Sequence, residues 1–250
     1  MQRTTVISLA IACSTLLAPW ASAAERAVDA TVASSQVLFK DSFARWRPEK
    51  WTVDNIDTRS PLPAYTVRNN RLEVTVDGGS DGYMGVASGV SFAPNITPLS
   101  GDFEVVASVA ELMREARDGY RDNSGLGISL GSASLLIRGN FSGYWPGYEY
   151  GTYHRHRISA FGRDGEVCGI DESLDLDTLY QVELRMRRWK GVSSMGYRLA
   201  GGAWIDWSCQ LPEPAVPALL FWSGDGGYTR STGRFTGSVD KFVIRVPLAE

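Results

Sequence analysis

Residues 72–77 read LEVTVD. Leu72, Val74 and Val76 alternate with Glu73, Thr75 and Asp77, and a period of two belongs to a strand with one face on a core and the other toward water. Working outward, similar alternation appears at residues 37–39, 65–67, 103–109, 135–137, 182–186 and 242–244. Turn signals separate these runs: Asn69-Asn70, Asp77-Gly78-Gly79, Ser100-Gly101-Asp102, Asp164-Gly165, Gly201-Gly202 and Asp225-Gly226-Gly227. Residues 111–120 alone have a helix-like composition, and their apolar stripe is too poor for a core helix. Many antiparallel strands joined by such turns predict an all-β sandwich or barrel.

The chain has 250 residues with no internal repeat, enough for one sizeable core, and a single all-β domain over residues 36–250 is expected. The first 23 residues form a different kind of segment. MQRTT supplies a basic start, VISLAIACSTLLAPW an apolar stretch and Ala21-Ser22-Ala23 a small-x-small cleavage site, the pattern of a secretory signal. The mature chain then begins near Ala24, and residues 24–35 read as a mobile small-residue linker. Cys13 sits in a weak lipoprotein-like box, with Ala10 where Leu is usual. No stretch reaches the roughly 20 apolar residues of a membrane span. A secreted protein, periplasmic or extracellular and monomeric, is expected.

Loss of the leader removes Arg3 and moves the formal charge from −3 to −4. That weakly acidic balance gives nucleic acid no support as a partner. Cys168 and Cys209 remain, and an oxidising compartment favours a disulfide between them, with two buried thiols as the alternative.

LFKDSFARWRPEKWTVDN at 38–55, YTVRNNRLEVTVDGG at 65–79, GDFEVVASV at 101–109, residues 177–207 and GSVDKFVI at 237–244 together resemble, in strand order, the secreted concanavalin A-like lectin/glucanase superfamily. The resemblance implies a two-sheet antiparallel jelly-roll sandwich with a glycan groove on one sheet. Laminarinase-type members carry an E-x-D-x-x-E strand motif, and this chain departs from it. Its nearest acidic cluster is Asp171, Glu172 and Asp175, so Glu149 with Asp171 or Glu172 is the pair left for two-carboxylate hydrolysis. A solvated turn is the competing reading of Asp171 and Glu172. The superfamily also implies a structural calcium ion, for which Asp41 and Asp240 stand in comparable first and last strands, where hydrogen-bonded turns are the plainer account. No other cofactor is required.

Residues 140–157, NFSGYWPGYEYGTYHRHR, hold five Tyr and Trp residues and both histidines of the chain. Tyr144, Trp145 and Tyr148, carried by Gly143, Pro146 and Gly147, suit a platform for the apolar face of a sugar ring, or else a cover over the sandwich edge. By strand parity over 152–161, His154, His156, Ile158 and Ala160 share the core side, while Arg155 and Arg157 share the other. Arg138, Arg185, Arg187 and Arg198 have similar parity in their own strands. If these strands share a sheet, one basic face suits an anionic ligand, because guanidinium forks match carboxylates and sulfates. A solvated outer face with partners such as Glu183 is the alternative. Trp204, Trp207 and Trp222 read as core or core-edge residues, with glycan contact as the alternative.

Three functions remain open at this level. The first is recognition of a carbohydrate, with the anionic preference attached to the basic face. The second is a polysaccharide lyase or hydrolase of the same fold, with Tyr153, His154, His156 and Glu149 as the acid and base types such chemistry needs. The third is a non-catalytic surface interaction protein, since a fold does not fix a function. Asn95-Ile96-Thr97 and Asn140-Phe141-Ser142 also match the glycosylation pattern.

Overall fold

The structure, a computed structural model, describes residues 35–56, 62–77, 88–115, 123–140, 155–171, 179–223 and 234–248. The strands are β1 (Ser35–Asp41), β2 (Trp51–Asn55), β3 (Ala64–Arg68), β4 (Arg71–Asp77), β5 (Ser88–Pro94), β6 (Phe103–Glu115), β7 (Asn123–Leu130) and β8 (Ala133–Asn140). They continue with β9 (Arg155–Phe161), β10 (Val167–Asp171), β11 (Leu179–Trp189), β12 (Val192–Leu199), β13 (Ile205–Ser208), β14 (Pro217–Ser223) and β15 (Arg234–Pro247). The rest of the described chain is turns and two short 3-10 segments, and no described helix is long and apolar enough to cross a membrane.

Two antiparallel sheets form the sandwich. One has the order β13-β12-β11-β6-β15-β4-β3, with β1 also paired to β15; the other runs β10-β9-β8-β7-β14-β5-β2. The alternation in the sequence decides which side chains lie between them. Leu72, Val74 and Val76 of β4 are fully buried, as are Leu126 and Ile128 of β7 and Leu219 and Phe221 of β14. The sheets meet closely: a methyl group added at Gly237 of β15 would fall 2.6 Å from Leu126 and 3.3 Å from Phe221. Burying such side chains contributes about 1.5–3 kcal/mol each, so this two-layer core is the main source of stability.

The turns follow their local chemistry. Asn69 and Asn70 take φ of 52° and 58°, the left-handed pair of a two-residue hairpin, and join β3 to β4. Lys190 and Gly191 do the same between β11 and β12 at φ 51° and 75°. The helix-like residues 111–115 continue β6 instead, because pairing with β11 and β15 on its two sides outweighs helical propensity.

The two edges β10 and β13, one from each sheet, are clasped together. Cys168 and Cys209 form the disulfide, with Cα atoms 5.4 Å apart. Trp207 lies over Gly169, where an added methyl group would fall 2.4 Å from the indole, and Tyr197 packs at a tilt against Trp207 with centroids 5.8 Å apart. The Tyr197 hydroxyl donates to Asp171. At the other side of the sandwich, Phe39, Phe43, Trp51 and Phe242 pack as an aromatic cluster.

Candidate functional site

The register of the seven-stranded sheet defines rows of side chains on its outer face. One row runs Gly89, Trp222, Gly125, Arg138, Arg157 across β5, β14, β7, β8 and β9. The next runs Asp54, Ser91, Leu220, Gly127, Leu136, Ser159, Ile170. The floor is low, since Gly, Ser and Ala occupy outer positions where most strands carry long polar side chains. On it stand Trp222, Arg138, Arg157, Leu220 and Phe161, all half-buried.

Trp222 is laid down by its neighbour. A methyl group at Gly125 would fall 1.9 Å from Cζ3 of the indole and 2.5 Å from the Ile137 carbonyl oxygen, so the six-membered ring lies directly over the glycine. The Arg138 guanidinium carbon is 5.8 Å from the centroid of Trp222 and 5.8 Å from that of Phe161, within cation–π range of both rings. The row therefore presents an aromatic ring, then two guanidiniums from directly opposed positions on β8 and β9. Chemically this is a flat apolar platform beside anion-matching donors.

The basic face expected from parity divides between the sheets. Arg138, Arg155 and Arg157 belong to β8 and β9, whereas Arg185, Arg187 and Arg198 belong to β11 and β12 of the other sheet. On that second sheet acids stand opposite the arginines: Arg198 faces Glu183 and bonds to it, and Arg187 faces Glu104. Arg185 is 4% exposed and sits between Asp206, to which it donates, and Glu104 at 3.9 Å, with Trp204 stacked 4.0 Å away. Burial pulls its guanidinium below the ordinary range, against the opposing pull of Asp206. Gly196 leaves the space through which Asp206 reaches it, since a methyl group there would fall 2.3 Å from the Asp206 carboxylate. Arg185 and Arg198 build a compensated ion network with Asp206, Glu104 and Glu183, the solvated-face alternative in a half-buried form.

Other expected residues have different places. Tyr144, Trp145, Tyr148, Glu149, Tyr153 and His154 lie outside the described residues, as does Glu172. The backbones of Arg155 and His156 belong to β9, opposite Asn140 and Gly139, and their side chains lie outside the described set. Asp171 accepts a hydrogen bond from the Tyr197 hydroxyl at the clasped edge. The inner strands β5, β7, β8, β9 and β14 contain no Asp or Glu, so no carboxylate pair stands on them. Asp41 is buried and accepts from the Phe43 amide at 2.8 Å and the Trp51 indole at 3.0 Å. These are the hydrogen bonds of the plainer turn account, and among the described residues no three His, Cys, Asp or Glu side chains converge. Of the two readings of Trp222, core edge or glycan contact, the structure gives it an outward place, which shows in the sequence only through the Gly125-x-Gly127 pattern of β7 that leaves bare backbone beside it.

No protein-family model matches the sequence, and no curated protein matches it. Solved structures do. The chain is similar to the CBM2 module of the evolved Dit protein of Lactobacillus casei BL23 phage J-1, at TM-score 0.55 and 10% identity over 87% of this chain and 98% of that one. It is also similar to a GlcNAcα1-4Gal-releasing endo-β-galactosidase from Clostridium perfringens, at TM-score 0.52 and 12% identity, covering 86% of this chain and 64% of the enzyme. The fold is a concanavalin A-like jelly roll. In this concanavalin A-like sandwich the E-x-D-x-x-E strand motif is missing from the inner strands of the glycine-floored sheet, and an aromatic ring and paired arginines stand there instead.

Proposed function

We propose that the mature chain is a secreted carbohydrate-binding protein, with the outer face of the seven-stranded sheet as its polysaccharide site. The observation that carries this reading is the Trp222 ring laid flat over Gly125 on a floor of small residues. A flat half-buried indole packs against the C–H face of a pyranose, and neighbouring serines and guanidiniums supply hydrogen bonds to hydroxyls. The likeness in fold to a CBM2 module and an endo-β-galactosidase supports a sugar as the ligand. Residues 141–154 join Asn140 to Arg155, two residues beyond Arg138 and Arg157 along their strands. Tyr144, Trp145 and Tyr148 in that segment are proposed as further sugar contacts from their residue types. The disulfide and the leader-like residues 1–23 support export to an oxidising compartment.

Binding is favoured over cleavage because the inner strands supply no carboxylate pair for hydrolysis. The test is retention of the purified mature protein in gels containing neutral or acidic polysaccharides, with reducing ends and ultraviolet-absorbing unsaturated products followed in parallel. Retention without product, lost in Trp222→Ala, is the expected result. Product release that disappears in His156→Ala or Tyr153→Phe would replace this reading with a lyase.

A further inference from the structure

The two sheets treat carboxylates differently. On the eight-stranded sheet Glu73 is 2.8 Å from Arg68, Glu104 2.6 Å from Arg245 and Glu111 3.7 Å from Arg71, while Glu183 and Asp206 are paired with Arg198 and Arg185. Each of these acids is offset where it stands, an arrangement that serves the sheet. β2 of the seven-stranded sheet carries Asp54. Trp51 is buried and Val53 packs on the core, so strand parity turns Asp54 outward, where it is exposed. Ser91 of β5 stands directly opposite, and neither the Asp54 carboxylate nor the Ser91 hydroxyl has a hydrogen-bond or ion-pair partner among the described residues.

Ile56 continues the same face one row away. Its amide donates to the Gly89 carbonyl at 2.9 Å, which prolongs the pairing of β2 with β5, and its side chain is 46% exposed. A methyl group at Gly89 would fall 2.8 Å from Cδ1 of Ile56 and 3.1 Å from Cβ of Trp222, so the two side chains meet above bare backbone. The apolar platform therefore begins at Ile56 on the β2 edge and runs on through the Trp222 indole to Gly125, with an unpaired carboxylate and a hydroxyl along one side of its start.

We infer that Asp54 and Ile56 are specificity-determining residues of this site and select a neutral polysaccharide: one sugar unit lies against Ile56 with its hydroxyls donating to Asp54, while a neighbouring unit lies on Trp222. The inference rests on the carbohydrate-binding reading and names the class of carbohydrate. An ionised carboxylate is acceptor-only and has two oxygens, so adjacent hydroxyls of an unsubstituted pyranose match it, and hydrogen bonds to a charged acceptor are the stronger kind. The same charge repels the carboxylates of uronates and the sulfates of esterified sugars. Strands lie about 4.8 Å apart, so the β2 residues stand two strands, roughly 10 Å, from the backbone of Trp222. One pyranose does not span that distance, which is why the contact belongs to a second unit of the same chain.

The experiment is affinity electrophoresis of the mature protein in laminarin, pullulan and galactomannan as neutral polymers and in polygalacturonate and dextran sulfate as anionic ones, each variant read against its own mobility in a polymer-free gel. Wild type is expected to be retained more by a neutral polymer than by either anionic one. Asp54→Ala should weaken that retention by about tenfold or more, the effect of losing a hydrogen bond to a charged group, and should not weaken any retention by the anionic polymers. Asp54→Asn, which keeps one acceptor and loses the charge, should fall between, and Ile56→Ser should also weaken neutral retention. Glu166→Ala removes an exposed carboxylate away from this face and should change nothing. Asp54 and Ile56 are exposed, and circular dichroism of their variants should match wild type. Stronger retention by an anionic polymer, or neutral retention unchanged in Asp54→Ala, overturns the inference; if Trp222→Ala still abolishes retention, the carbohydrate-binding reading stands. Retention of nothing, or no effect of Trp222→Ala, overturns both.

Discussion

Replacing both cysteines by alanine removes the clasp between β10 and the chain after β13, and the cost follows from the length of the loop it closes. Cys168 and Cys209 are separated by 41 positions. A cross-link over such a loop lowers the entropy of the unfolded chain by about 13 cal/mol/K, equivalent to about 4 kcal/mol at 25 °C. For the compact unit Ser35–Glu250, an unfolding entropy of about 2.1 cal/mol/K per residue sums to roughly 0.45 kcal/mol/K. The expected fall in Tm for Cys168→Ala/Cys209→Ala is therefore about 9 °C. Cys209 is buried, and alanine avoids placing a hydroxyl there. Thermal unfolding followed by circular dichroism measures the shift, and wild type in reducing agent should match the variant. A Tm within about 2 °C of wild type would refute the reasoning. It would assign the closure of this edge to Trp207 on Gly169 and to the Tyr197–Asp171 hydrogen bond instead.

Other outcomes follow from the same packing. Burial, followed by the hydrogen bond to Asp171, raises the Tyr197 hydroxyl well above its ordinary pKa of about 10. Stability is thus insensitive to this group below about pH 10 and falls above it, as the unfolded chain ionises and the native one does not; the slope is about 1.4 kcal/mol per pH unit. Urea midpoints between pH 8 and 11.5 should show that fall, and Tyr197→Phe should flatten it; an equally steep fall in the variant would refute the assignment. Asp206→Ala leaves the buried Arg185 with Glu104 at 3.9 Å as its remaining acid, and should cost about 3 kcal/mol by urea unfolding. A loss under about 1 kcal/mol would show that Arg185 relaxes into water. Mass spectrometry of the exported protein should find an N-terminus at Ala24, and an intact leader on exported protein would contradict the signal assignment.

The sequence disclosed those strands whose two faces differ in chemistry. LEVTVD and the alternation at residues 182–186 became β4 and β11 because polar side chains fill their outer positions. β5, β7 and β14 were harder to read, since their outer positions hold Gly, Ser, Ala, Leu or Trp and the contrast between faces is lost. The same loss hid the candidate site: a face bared for a ligand resembles neither a solvated strand nor a core. The arginines show the other difficulty. Parity along each strand correctly separated Arg138 from Leu135 and Ile137, and Arg185 from Leu184 and Met186, but parity is local. Which strands pair is settled by the packing of the whole chain, and it sent the two groups of arginines to different sheets.

The account stands on one placement, a carbohydrate on the outer face of the seven-stranded sheet, and amide hydrogen exchange with and without a retained polysaccharide tests it directly. The predicted result is added protection in peptides from residues 123–140, 155–161 and 217–223, which hold β7, β8, β9 and β14. Protection confined to residues 103–115 and 179–199, the opposite sheet, would contradict it.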